Sequence, residues 1–321
     1  MGLCAIGRED VRGVRISPTR LVALLLVAFA SSAPARAEGT LVVCLDENIP
    51  PLSSKHGKEI GGFDVAVSQA VARSLGRTLQ VQWFESKVDN DSNPAAQANA
   101  LLSDGRCDLV AGYPLFAGAL GEPRAERSKL PDYEGARPED RRRWVRLNKL
   151  MASRGYRFDP FVVVLGPKLA GRQIRSLSDL KDVRLGVEEG TLADAILMTY
   201  AANALADRVT HVVPGPGLFE GLEKGDYDAT LVELHHLDAY RSGHPETQLS
   251  SSGHYHSIGF NVGFAGLATE APLIAEVNAA IGEMLAKGGL PALAQAAGAT
   301  YVAPRQPEVL TTISGTDLRG D

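Results

Sequence analysis

The sequence predicts an α/β protein of two lobes, each built on a mostly parallel sheet flanked by helices. Short apolar, β-branched runs alternate with helical segments, which implies parallel strands joined by right-handed crossovers. A second strand-and-helix segment is inserted before the chain returns to the first. The late run 258–267 alternates Gly with Phe, Val and Ile and reads as the returning strand. The expected division is residues 38–165 plus 254–321 for the first lobe, with an insertion at 119–157, and 166–253 for the second.

Thr40–Leu45 is a short apolar run and reads as a buried strand. Residues 46–62, rich in Pro, Gly and charge, read as a loop. Asp64 can cap the helix that follows, where Val65, Val67, Ala70, Val71 and Leu75 recur near helical spacing before Gly76. Thr78–Phe84 reads as a strand, 95–102 as a helix and 107–113 as a strand. Within the insertion, Pro138-Glu139-Asp140 resembles a helix start. An apolar stripe of Trp144, Leu147, Leu150 and Met151 would lie opposite Arg141, Arg142, Arg143 and Arg146. Such a segment is either a solvated basic face over packed residues or a lid at the cleft. Phe161–Leu165 then leaves the first lobe. Strands at 183–187, 210–213 and 229–233 alternate with helices at 192–204 and 218–224. Helices near 273–287 and 291–297 finish the chain's return.

Residues 1–37 read as a cleaved export signal. Arg8, Arg12, Arg15 and Arg20 precede the ten-residue apolar run Leu21–Ala30, and Ala35-Arg36-Ala37 is a small-x-small cleavage site. The run is too short to span a bilayer, which takes ~20 residues. No later segment is long and apolar enough to span, so the mature protein is expected to be periplasmic and without a membrane span. Loss of the leader takes the net charge from −5 to −8, with 28 basic against 36 acidic residues. An acidic chain argues against nucleic-acid partners. Only Cys44 and Cys107 remain, so this is no disulfide scaffold.

The ordered segments Pro50-Pro51, Gly62-Phe63-Asp64-Val65, Gly105-Arg106-Cys107-Asp108-Leu109-Val110, Ser178-Asp179-Leu180, Gly186-Val187, Gly190-Thr191, Gly225-Asp226-Tyr227-Asp228-Ala229 and Gly259-Phe260 carry a resemblance. Over residues 40–302 the chain resembles type II periplasmic solute-binding proteins of the amino-acid type (family 3). That resemblance implies two hinged lobes capturing a small molecule, for an ABC-type importer with its permease, and no enzyme activity or cofactor. Val43-Cys44 with Arg106-Cys107-Asp108 is also similar to the MxaJ and XoxJ group. Those are periplasmic accessories of quinoprotein (PQQ) methanol dehydrogenases, and this similarity implies a dehydrogenase partner instead. A third relation of the fold, to cyclohexadienyl dehydratases, would recruit Glu233 with His235 or His236 as acid and base.

The chain departs from the amino-acid binders at one place. There the third strand is followed by a Ser/Thr-rich turn and an Arg that forks onto the ligand carboxylate. Here the stretch is Gly112-Tyr113-Pro114-Leu115-Phe116-Ala117-Gly118, with no arginine before Arg124. The expected ligand-binding residues are Asp46, Glu47, Phe63 and Tyr113 from the first lobe and Gly190, Thr191 and Glu233 from the second. Most follow or end predicted strands, where open α/β sheets bind ligands. Gly190-Thr191 opens a helix whose free N–H groups can hold an anion or whose Thr simply caps it. Glu233 stands where the resemblance places the acid that meets a ligand's ammonium. Three carboxylates around one cavity favour a cation or a basic patch on a partner.

Other chemistry finds little footing. His235-His236 would face opposite sides of a strand, and His254-x-His256 lacks metal-ligand spacing, so no metal is expected. No G-x-S-x-G elbow follows a strand. For the two cysteines, the related group carries both. Their offset along neighbouring parallel strands, at ~3.3 Å per residue, exceeds the ~7 Å a disulfide tolerates and predicts free buried thiols.

Overall fold

The computed structural model describes residues 39–57, 59–87 and 93–321. The predicted leader lies outside the described residues. In chain order the strands of the first half are β1 (Thr40–Asp46), β2 (Asn48–Ile49), β3 (Ser53–His56), β4 (Glu59–Gly61), β5 (Thr78–Glu85), β6 (Leu109–Pro114), β7 (Arg127–Lys129), β8 (Asp132–Tyr133), β9 (Trp144–Arg146), β10 (Leu150–Ala152) and β11 (Arg157–Leu165). Helices α1 (Phe63–Ser74) and α2 (Pro94–Ser103) lie among them. The second half adds β12 (Leu185–Glu188), α3 (Leu192–Asn203), β13 (Val209–Val212), α4 (Gly217–Lys224), β14 (Ala229–Glu233) and α5 (Leu234–Gly243). The chain returns through β15 (Ser250–Leu267), α6 (Ala271–Lys287), α7 (Gly289–Ala296) and α8 (Gly315–Arg319).

One sheet runs in the order β13-β12-β14-β11-β15-β6-β1-β5-β8, with β10 added to β15. It contains two parallel trios, β6-β1-β5, edged by the short antiparallel β8, and β13-β12-β14. Between them stand two long antiparallel strands, β11 and β15, whose ladder shifts register at Pro160/Val162 and Val162/Val164. β15 meets β6 through Val262, Gly263 and Ala265, so the returning strand rejoins the first trio.

Alternation along the strands builds a core on each face. In β1, Leu41, Val43 and Leu45 face α1, α6 and α7, while Val42 and Cys44 face α2. In β11, Phe161, Val163 and Leu165 face α3, while Val162 and Val164 face α4 and α5. Each such side chain, fully withdrawn from water, contributes roughly 1.5–3 kcal/mol before chain entropy is charged against it.

Three expectations are corrected. Strands β2, β3 and β4 form a small antiparallel sheet within the expected loop. The expected helix in the insertion is absent: β9 pairs with β7 and β10 with β15. Val145 and Leu147 are buried while Trp144 and Arg146 are exposed, a period of two that tertiary pairing selects over the helical stripe. Cys44 and Cys107 are bonded, with Cα atoms 5.7 Å apart. Cys107 precedes β6, and it lies over the sheet face beneath α2, beside Ala98 and Leu101, instead of in line with the strand. Thiol titration of the unfolded, unreduced protein is expected to find neither thiol free. Residues 303–321, expected with the first lobe, carry Ile313 and Leu318 against the core that α3 shares with β11 and β12.

Candidate functional site

The carboxyl ends of β1, β6 and β14 converge on a cavity of about 270 Å³, which β11 and β15 cross. Its apolar wall comes from Phe84, Val110, Tyr113, Pro114, Phe260 and Val262, with Ala95 and Ala98 of α2. Its polar groups are Asp46, Asp64, Arg157, Asp159, Glu233 and His235. Of the insertion 119–157, Arg157, the first residue of β11, lines it.

Local geometry explains how the polar groups reach it. Gly62 is the N-cap of α1 at φ 126°, and a Cβ there would lie 2.3 Å from the Leu52 carbonyl oxygen. The cap is therefore backbone, and Asp64, expected to cap the helix, instead turns inward from its first turn. Gly112 makes room: its Cβ would meet Asp64 Oδ2 at 2.8 Å. Tyr156 donates from its hydroxyl to Asp64 Oδ1 (2.9 Å) and accepts from the Gly112 N–H (2.9 Å).

Arg157 and Asp159 stand two apart on β11, hence on the same face of the sheet. The Arg157 guanidinium lies between two carboxylates, Nε 3.5 Å from Asp64 Oδ1 and Nη1 3.3 Å from Asp159 Oδ2. Its buried Nε–H has no hydrogen bond among the described residues. Asp159 also pairs with His235 Nδ1 at 2.7 Å. Burial pushes the Asp64 carboxyl up against the opposing pull of Arg157. For Asp159, burial is outweighed by His235 and Arg157, and its carboxyl is held well below the usual range. His235 feels burial pulling down and Asp159 pulling up more strongly, so its pKa rises above 6.5. Glu233 is raised, mainly by burial. Its carboxylate approaches His236 Nδ1 at 3.5 Å.

Of the predicted site residues, Asp46, Tyr113 and Glu233 line this cavity. Asp46 accepts from the Asn48 N–H (3.0 Å), the Ser86 N–H (3.1 Å) and the Ser86 hydroxyl. The Tyr113 hydroxyl donates to the Ala119 carbonyl (2.7 Å), leaving its ring toward the cavity. Glu47 borders a separate surface hollow with Lys55 and Glu85. Phe63 is buried behind the site, edge-on to Tyr156 at 5.9 Å between ring centroids. Gly190 and Thr191 are outside the cavity lining. Thr191 Oγ1 accepts from the Asp194 N–H (3.2 Å) and donates to the Glu188 carbonyl (2.8 Å). Asp194 takes the Gly190 N–H (2.9 Å), so the helix start is satisfied from within.

Sequence reading missed Asp64, Arg157, Asp159 and Phe260 as site residues. One signal was available: two charges at i and i+2 in the run Arg157-Phe158-Asp159-Pro160-Phe161, otherwise apolar, mark a strand carrying buried ionic groups on one face. His235 and His236, expected on a strand, occupy the first turn of α5 with ring centroids 4.2 Å apart. Among the described residues, no cluster of three His, Cys, Asp or Glu is arranged to hold a metal ion. No helix among them is long and apolar enough to cross a membrane.

No protein-family model matches the sequence. No curated protein matches it either. Solved structures do. The L-cystine solute receptor of Neisseria gonorrhoeae, in its unliganded open conformation, aligns over 83% of this chain and 96% of its own, at 22% identity and a TM-score of 0.56. Substrate-binding domain 2 of Lactococcus lactis GlnP, also open, covers 81% and 95% at 16% identity and a TM-score of 0.59. An ancestral cationic amino-acid solute-binding protein covers 80% and 95% at 19% identity and a TM-score of 0.53. The chain thus has the two-lobe type II periplasmic-binding fold.

Proposed function

We propose that this protein is a periplasmic receptor that captures a small cationic solute between its lobes and serves an ABC-type importer. The carrying observation is the cavity at the strand ends, where Asp46, Asp64, Asp159 and Glu233 outnumber Arg157 and His235. The guanidinium already has a carboxylate on each side, so it cannot clamp a ligand carboxylate without crowding three acids together. Glu233 meets no other cation among the described ion pairs than half-exposed His236 and is free to receive an ammonium. The aromatic wall suits an apolar body on the same ligand.

The proposed lobe division keeps residues 38–165 and 254–302 together, with 166–253 opposite. The proposed ligand contacts are Glu233, Asp159, His235, Asp46, Tyr113 and Phe260. A thermal-shift screen tests the function, because a ligand of the native state alone raises its apparent stability. Small amines and amino alcohols are expected to raise Tm, and dicarboxylates and phosphates to leave it unchanged. A panel in which no cation shifts Tm contradicts the reading.

The bonded pair Cys44–Cys107 favours a second reading, an accessory of a quinoprotein dehydrogenase like the MxaJ and XoxJ group, which shares both cysteines. Purified chain and dehydrogenase mixed in a sedimentation experiment decide it: a complex favours the accessory, independent boundaries the receptor.

A further inference from the structure

We propose that residues 303–321 form a strap that fixes the angle between the lobes and limits how far they rotate. The first anchor is on the first lobe and its crossing strand. The two hydrogens of Asn261 Nδ2 are shared among the carbonyls of Arg305 (2.7 Å), Glu308 (2.9 Å) and Pro307 (3.1 Å), and the Arg305 N–H donates back to Asn261 Oδ1 (2.9 Å). Leu310 then pairs with the segment after β6, donating to the Leu115 carbonyl and accepting from the Ala117 N–H, both at 2.9 Å. This anchor adjoins the cavity: Tyr113 and Pro114 line it, and the Phe116 ring meets cavity-lining Phe260 edge-on at 6.1 Å.

The second anchor is on the second lobe. Ser314 and Asp317 close a capping box that starts α8, and Ile313 and Leu318 pack into the α3-side core. The Leu318 carbonyl lies 3.3 Å from Thr199 Oγ1 of α3, and the Gly320 carbonyl lies 3.1 Å from His256 Nε2 on the crossing strand β15. The Asp321 carboxylate receives the Ser176 hydroxyl (2.6 Å), the Tyr200 hydroxyl (3.2 Å) and the Leu177 N–H.

Only Thr311 and Thr312 separate Leu310 from Ile313. Three links of trans chain reach at most ~11 Å. The strap can therefore follow a moving lobe only within that reach. Without it, the sheet joins the lobes only through β11 and β15, and a pair of strands is a hinge that absorbs rotation in a few residues. A third, short connection, tied to β15 at Asn261 and anchored beyond it on both sides, braces the hinge. Rotation that parts Leu310 from Ile313 must strip α8 from α3 or Leu310 from Leu115 and Ala117.

Spin labels at Ile60→Cys and Val213→Cys report the lobe separation, since both sites are exposed (54% and 78%) and lie on opposite lobes. Cys4→Ser removes the remaining thiol outside the bonded pair. The intact strap is expected to give one narrow distance distribution by pulsed electron resonance. Four Gly/Ser residues inserted between Thr311 and Thr312 lengthen the tether with both anchors docked, and the distribution should widen at least about two-fold or split. The same insertion between Pro245 and Glu246, within the second lobe, should leave it narrow. Ile313→Ser with Leu318→Ser frees the far anchor by another route and should also widen it. If the lengthened strap and the freed anchor both give the narrow distribution of the intact protein, or if the intact protein is as broad as they are, the proposal is wrong.

Discussion

Two polar turns of the second lobe follow neighbouring parallel strands and leave the same edge of the sheet: Gly190–Thr191 after β12 and Glu233–His235 after β14. The first looks like a ligand site and is closed upon itself. Asp194 takes the Gly190 N–H and His211 Nε2 lies 3.0 Å from the same carboxylate, so the helix start already holds its anion. The second has no side-chain cap, and its carboxylate and imidazole open onto the cavity. Strand ends define where ligands can bind, and the partners supplied by the chain itself decide which of those ends remain available.

Breaking the open turn's support should cost most. Arg157→Met leaves Asp64 and Asp159 buried without their shared cation, and a loss of about 3–5 kcal/mol in urea unfolding is expected. A loss below about 1 kcal/mol would mean that the two carboxylates are not dependent on it.

The Asp159–His235 pair sharpens the comparison through pH. The folded protein binds the His235 proton more tightly than the unfolded chain, because its pKa is raised above 6.5 by Asp159 despite burial. Its stabilisation is therefore complete below pH 6.5 and lost as pH climbs through the raised value. The stability gap between wild type and His235→Gln should be larger near pH ~5.5 than near pH ~9. A gap that grows with pH would reverse the assignment of charge.

The closed turn should respond least. Thr191→Ala removes a cap, so about 0.5–2 kcal/mol of stability should be lost. Ligand affinity should be unchanged, because Thr191 is not a cavity residue. A loss of affinity without loss of stability would return Thr191 to the site.

How much of this was legible follows from the range of the interactions. β1 and β14 announce themselves because their own residues alternate between two buried faces, a local property. Glu233 was legible because it ends such a strand. Arg157 was not: its role depends on Asp64, 93 positions earlier, and on Asp159 beside it. The insertion misled because Trp144, Leu147, Leu150 and Met151 match a helical stripe, and only pairing with β7 and β15 reveals the strands. The cysteines misled because a strand-offset argument assumes that Cys107 already lies in the ladder, whereas β6 starts at Leu109. The strap was invisible, since nothing local in residues 303–321 tells which lobe they cover.

The central claim is that Glu233 receives the positive group of a solute in this cavity. Calorimetry with the cation that most raises Tm, on wild type and Glu233→Gln, tests it directly. Loss of a charge-assisted hydrogen bond predicts weakening of roughly 1.5–3 kcal/mol, about ten- to a hundred-fold in Kd. Because burial raises the Glu233 pKa above 4.5, wild-type affinity should also fall on acidification, beginning above that value, and Glu233→Gln should not show this loss. Equal affinities for the two proteins, with the same pH dependence, would contradict the account.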